Sequence, residues 1–327
     1  MIEEPPGLAP DEVATAVRDG WGLDVRSAEH LQVGAGGWHW RLDGDDGLRW
    51  FATVDQVGDT GERRALLAAY DAASQLAGLL PFVVAPVRAR DGRTGIELSP
   101  GLVLSVAPWL EGTAGDAPFT DDAARVPVAG LLGELHARQR PRHLPLWRPT
   151  IGWHSDAGRE HLELAMATSG WSGGPWSGPG ERLLAEARPV VLRAVRRFAL
   201  LGAAVVGGMD RWVVTHGEPH PANVVTTADG PCLVDWGSVR LAPRERDLRD
   251  VLGGADGDDP WYAYVEAGGR PESLSPDTVE LFALEWHLSE VAESVVLLTR
   301  PHEDSADAER SFGDLEAEVT ALVTRWG

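Results

Sequence analysis

Val213-Val214-Thr215-His216-Gly217-Glu218-Pro219-His220-Pro221-Ala222-Asn223-Val224-Val225 is the stretch from which the fold can be read. Apolar β-formers stand on both sides of a short polar run, which predicts a strand, a tight loop and a second strand. Gly217, Pro219 and Pro221 argue against a helix here. Twelve residues after Asn223 comes Asp235, inside Leu233-Val234-Asp235-Trp236-Gly237, where apolar strand residues again lead to an acid. The pattern sets a Glu, an Asn and an Asp at strand ends and in a tight loop, facing one point. Phosphoryl transfer from a magnesium nucleotide needs such a set. One carboxylate receives or orients the acceptor hydroxyl, while an amide oxygen and a second carboxylate hold magnesium.

Zinc is the competing chemistry, because His216 and His220 are four apart with Glu218 between them. A metalloprotease uses that spacing on a helix, with both imidazoles on one face. The glycine and prolines make that arrangement unfavourable, and His220 is read as a structural residue of a turn.

Upstream, residues 11–18 read as a short helix ending at Gly20, and Leu31 to Val54 as three strands joined by two turns. The first turn is Gly34-Ala35-Gly36-Gly37, the second Asp43-Gly44-Asp45-Asp46-Gly47. Along 48–55, Leu48, Trp50, Ala52 and Val54 fall on one face, and Arg49, Phe51, Thr53 and Asp55 on the other. Glu62 to Leu76 is predicted helical, with Asp59 and Glu62 as a capping box and Gly78 as a stop. Two more strands are expected near Phe82–Arg88 and Leu102–Val106. Beyond Glu111 the texture becomes helical: Val126–Gln139, Glu181–Val206, Val279–Leu298 and Asp307–Arg325. A broken Trp/Gly/Pro/Ser loop is expected at 171–180, and a short β region at 212–239.

The chain has 327 residues, about two domains' worth. Its 43% hydrophobic content suffices for a full core. Formal net charge is −21, and all 29 basic residues are arginine. That balance disfavours nucleic acid and anionic membrane surfaces and suits a cationic small molecule. The single cysteine, Cys232, makes no internal disulfide. The acidic, proline-rich start is unlike a signal peptide, and the longest apolar run, 198–209, is short of a membrane span, so a cytoplasmic location is expected.

His216-Gly217-Glu218-Pro219-His220-Pro221-Ala222-Asn223, Val234-Asp235-Trp236-Gly237 and Leu241-Ala242-Pro243-Arg244-Glu245-Arg246-Asp247-Leu248 together resemble the aminoglycoside phosphotransferase and choline kinase family, relatives of the protein kinases. Within it the resemblance is greatest to the spectinomycin phosphotransferase type. The resemblance implies a two-lobed, protein-kinase-like α+β fold. Residues 1–110 would form a nucleotide-binding lobe of antiparallel sheet plus one helix, and 111–327 a larger, mostly helical catalytic and substrate-binding lobe. It implies ATP and Mg2+ as cofactors, and as substrate a hydroxyl of a small, cationic molecule such as an aminoglycoside or aminocyclitol. Asn223 and Asp235 would hold magnesium, and Glu218 stands where the family has its catalytic aspartate. Asp247 would brace the catalytic loop. The backbone near Ala107 and Trp109 would read adenine. Gly34, Gly36 and Gly37 would cover phosphates, since Trp38–Leu42 after them reads as strand; a dinucleotide fold requires a helix there.

Two departures stand out. Glu218 is one methylene longer than aspartate, and a misplacement of ~1 Å can cost roughly 10²-fold in rate. Thr53 occupies the position of the lysine that grips the α and β phosphates, and Glu62, its implied helix partner, loses its cation. Arg49 and Arg41 are the available substitutes, although a guanidinium is a fork rather than a point charge. The rival reading is a pseudokinase that binds a nucleotide or small ligand without turnover. Trp286, Glu290 and Glu293 on one helix face, and Asp256, Asp258 and Asp259 before Trp261, suggest an acidic, aromatic surface for the acceptor.

Overall fold

A computed structural model describes residues 1–5, 7–34, 36–115, 118–152, 158–253 and 257–327. The chain divides into two compact units, Met1–Trp147 with Asp210–Ser273, and Arg148–Met209 with Leu274–Gly327.

The first unit begins with α1 (Pro10–Trp21), β1 (Val25–Leu31), β2 (Gly37–Gly44), β3 (Arg49–Gln56) and α2 (Thr60–Ala77), followed by β4 (Ile96–Ser99) and β5 (Leu102–Pro108). The strands form one antiparallel sheet in the order β1-β2-β3-β5-β4. Alternation along β3 decides what each face does. Ala52 and Val54 are fully buried with Trp40, Leu42, Leu104 and Val106 beneath Val13, Val17 and Trp21 of α1. The opposite face carries Val103 against Leu66 and Tyr70 of α2. Helices therefore cover both faces: the short leading helix and the embedded one that the sequence predicts. α1 also outruns its expected stop at Gly20 and ends at Gly22 in the left-handed conformation.

Phe82–Arg88 is not a laddered strand. Pro86 has no N–H to give, and Phe82, Val83 and Ala85 are apolar because they are buried. This segment joins the sheet to the stretch around Leu233 through main-chain bonds: Leu233 N donates to Phe82 O at 2.8 Å, and Val84 N to Leu233 O at 3.0 Å. The fifth strand is instead Ile96–Ser99.

The same unit continues with β6 (Gly112–Ala114) and α3 (Asp122–His136). After 210 it adds β7 (Val213–Thr215), β8 (Val224–Thr227), β9 (Gly230–Leu233), β10 (Arg240–Ala242), α6 (Glu245–Leu252) and α7 (Asp259–Glu266). β10 pairs with β7, and β6-β8-β9 form a small antiparallel sheet. The second unit is helical: α4 (Gly158–Ala167), α5 (Ser177–Val205), α8 (Pro276–Thr299) and α9 (Ala306–Trp326). α5 starts four residues before the predicted Glu181, inside the expected loop, where Ser177 Oγ donates to Leu298 O at 2.7 Å. The stripe Leu281, Leu284, Leu288, Val291 and Val295 on α8 is buried, while Trp286, Glu290 and Glu293 are half-buried. Small antiparallel sheet and larger helical part make this a two-lobed, kinase-like α+β fold. No helix among the described residues is long and apolar enough to cross a membrane.

Candidate active site

Beyond β7 the chain turns at Gly217, whose φ of 106° lies in the region that favours glycine. A Cβ there would run into the Arg246 guanidinium. That guanidinium is itself fixed, donating to Thr215 Oγ1 at 3.1 Å and to Ser238 O at 2.9 Å.

Asp247 on α6 holds the turn from below. It is fully buried and accepts from His216 N at 2.8 Å and Gly217 N at 2.7 Å, with His136 Nε2 at 3.0 Å. Burial alone would raise this carboxyl, but the His136 hydrogen bond and the nearby Arg246 charge hold it below the usual range.

His216 is equally fixed. Its Nε2 lies 2.8 Å from Val234 O, which can only accept, and its Nδ1 receives Glu218 N at 3.2 Å. The pair of bonds assigns a neutral imidazole protonated on Nε2. Burial, the largest cause, also lowers its pKa. Both ring nitrogens are occupied, which removes His216 from zinc chemistry. Among the described residues no group of three or more His, Cys, Asp or Glu is placed to hold a metal.

Asn223 closes the turn Pro221–Asn223. Its amide nitrogen donates to Glu218 O at 3.0 Å and sits 3.3 Å from His220 Nε2, so the nitrogen side is turned inward to the loop. Val234 N donates to Asn223 O at 3.1 Å, tying this turn to the residue before Asp235. Asp235 has φ 62°, uncommon for a non-glycine residue and typical of functional loops. Surrounding protein raises its carboxyl above the ordinary value, and the charge of Glu218 adds to that. The side chain still reaches solvent, so screening moderates the shift. Glu218, Asn223 and Asp235 are thus brought into one electrostatic neighbourhood. Its excess negative charge, with an amide oxygen and a carboxylate as hard donors, fits a magnesium ion completed by phosphate oxygens and water.

On the sheet side, Thr53 and the candidate substitutes Arg41 and Arg49 are already engaged. Gly37 opens β2 opposite Asp55 of β3. Gly34 has φ 69°, and a Cβ there would crowd the His39 ring. Gly36 is exposed; Ala35 lies outside the described residues. Thr53 lies between His39 and Ser105 across the strands, with its Oγ1 3.1 Å from His39 Nδ1. Burial lowers His39 to about 4, with His30 among the other causes, so it is uncharged at neutral pH. Arg41 pairs with Glu29 and Asp43, and Arg49 with Glu111. Both arginines already have carboxylate partners. Glu62 is spent on the start of α2, accepting Gly58 N at 2.5 Å beside the Asp59 cap. Ala107 pairs with Phe51 at the end of β5, and Trp109 N donates to Arg49 O at 3.3 Å. The Trp109 ring lies 6.3 Å from that of Phe51. Asp258 and Asp259 lie at the start of α7; Asp256 lies outside the described residues.

Residues 31–281 match the phosphotransferase enzyme family. This chain belongs to that family. It is 30% identical over 238 residues to protein StrN of Streptomyces griseus, covering 69% of this chain and 68% of StrN. The fold is similar to that of the spectinomycin phosphotransferase APH(9)-Ia in complex with ADP and spectinomycin (TM-score 0.69, 14% identity, 97% of this chain and 98% of that one). It is also similar to the amicoumacin kinase hAmiN with AMP-PNP and calcium (TM-score 0.58, 12% identity, 95% and 93%). Members of the phosphotransferase family transfer phosphate from ATP to hydroxyls of small molecules.

One pairing near the candidate site went unread in the sequence. Tyr70 of α2 is 4% exposed and its hydroxyl lies 2.7 Å from Asp55 Oδ2. Asp55 shares its strand face with Thr53, and Tyr70 its helix face with Leu66. Both periodicities were available; the separation of fifteen positions hid the pairing.

Proposed function

We propose that the chain is an ATP- and Mg2+-dependent kinase for a hydroxyl of a small cationic molecule, of aminoglycoside or aminocyclitol type. Glu218 serves as base, and Asn223 and Asp235 hold the metal. Residues 1–110 bind nucleotide through Gly34, Gly36, Gly37 and Thr53 and through the stretch containing Ala107 and Trp109. Residues 111–327 supply the catalytic loop and the acceptor site. The observation that carries this reading is the Asp235 carboxylate, held at a positive φ beside Glu218 and raised in pKa partly by it. Magnesium, when bound, offsets that repulsion and the charge on the transferring phosphoryl group. His216 donates to Val234 O and receives Glu218 N, which fixes the loop between the two acids.

One observation favours the pseudokinase reading. Thr53 brings no charge, His39 is neutral, and Arg41 and Arg49 are paired elsewhere. The two readings separate when the protein is incubated with Mg-ATP and a panel of amino-sugar and aminocyclitol compounds. Mass spectrometry should find one product heavier by a phosphate, lost or strongly reduced in Glu218→Gln, which should still bind nucleotide. Nucleotide binding without product across the panel selects the pseudokinase. Neither binding nor product overturns both.

A further inference from the structure

A strand, a helix and a metal loop must be held in register if Asp235 is to meet a nucleotide under the glycine turn. The usual ion pair is missing, since the chain has no lysine and Glu62 caps α2. The structure shows another connection. The Tyr70 hydroxyl, buried and in need of a partner, bonds Asp55 Oδ2 at 2.7 Å. The other Asp55 oxygen lies 3.5 Å from where a Cβ on Gly37 would be, under the end of the glycine turn. The ring edge of Tyr70 lies 3.9 Å, and Leu66 Cδ1 3.4 Å, from the corresponding point on Gly237. Asp235 Oδ1 lies 3.8 Å from that same point. One side chain therefore bonds β3 through Asp55 and lies close to the loop that carries Asp235, while that same carboxylate lies close to the end of the glycine turn.

We propose that Tyr70 is the positioning residue of this site: its hydroxyl bond to Asp55 and its place beside Gly237 hold the Asp235 loop against β3. The proposal rests on the phosphotransferase reading for its catalytic consequence and on geometry alone for its structural one. Tyr70 touches no reacting atom; it acts through Asp55 and residues 235–237. A phenol-to-carboxylate bond is charge-assisted and directional, so it fixes orientation as the missing ion pair would.

The test uses Tyr70→Phe, Asp55→Ala, their double variant, Asp55→Asn, which keeps an acceptor oxygen, and Tyr262→Phe as an exposed control. Hydrogen exchange of residues 234–239, followed by mass spectrometry without nucleotide, reads the loop directly. Tyr70→Phe and Asp55→Ala should speed exchange there by similar factors, the double should add nothing further, and Asp55→Asn and Tyr262→Phe should match the parent. With an acceptor in hand, Tyr70→Phe should lower kcat by roughly 10- to 100-fold, in keeping with a misplacement of about an ångström. Acceptor KM should be little changed, and more magnesium should be required. Parent-like exchange in Tyr70→Phe, or additive effects in the double variant, overturns the proposal. A parent that phosphorylates nothing removes the phosphotransferase reading, while the exchange experiment still decides the role of Tyr70. If Tyr70→Phe does not fold, Asp55→Ala breaks the same bond with the ring intact.

Discussion

Asp235 sets a conflict between stability and binding. Its carboxyl is raised, first by the protein around it and then by Glu218. An acid whose folded value lies above its unfolded one gives full stability below the ordinary carboxylate range and loses it as pH rises through the raised value. Asp235→Asn removes that loss. At pH 7 and without ligand it should melt at or above the parent, with the difference closing toward pH 4. Magnesium nucleotide, which should raise the parent's Tm, should no longer do so. A variant that melts below the parent at pH 7 while folding normally would show that the carboxylate is already neutralised. Thr53 gives a second prediction. Asp55, two residues further along the same face, would be a carboxylate neighbour for a lysine at 53. A charge-assisted contact to phosphate is worth ~1.5–3 kcal/mol, so Thr53→Lys should tighten ATP binding roughly 10- to 100-fold at fixed magnesium. Titration of parent and variant measures it. Unchanged affinity with an intact fold means that the phosphates do not pass Thr53. Glu218, Asn223 and Asp235 could be proposed from the sequence because their motif is local. Tyr70 with Asp55 was not, because a pair from a helix and a strand is joined only by the fold.

Elements show the same division. α2, α3, α8 and α9 were predictable from apolar spacing, and the turn at Asp43–Gly47 from its composition. β4 was missed because Ile96–Ser99 is a short edge strand with little apolar contrast, and 82–88 was overread because burial at a junction resembles burial in a strand. Asp247 on α6 was read through a resemblance, and its bonds now supply the physical reason. It satisfies two main-chain N–H groups and His136. Asp247→Ala leaves all three unpaired inside the protein and should cost ~3–5 kcal/mol in urea unfolding. The sign of its pH effect is opposite to that of Asp235. Its folded value is depressed, so its stability is present above the ordinary carboxylate range and is lost as pH falls through the lower value. A loss under 1 kcal/mol would show that α6 does not brace the loop.

At the scale of the molecule, a net charge of −21 gives a long-range field that draws cations at low salt. Raising ionic strength from 0.01 to 0.15 M shortens the screening length from about 30 to about 8 Å. The KM of a cationic acceptor should therefore rise over that range, while that of an uncharged analogue should stay flat. Parallel curves would place acceptor recognition in short-range contacts alone. The sheet, meanwhile, is tied to the strand that precedes Asp235 through Phe82, Val84 and Leu233 by main-chain bonds. Such a joint is written in backbone rather than in side chains. Homologues can drift at these three positions, exchanging one buried apolar residue for another, and keep the seam closed. Only proline at 84 or 233 deletes a donor, so a comparison of sequences would pass over this seam as variable ground while every folded member retained it.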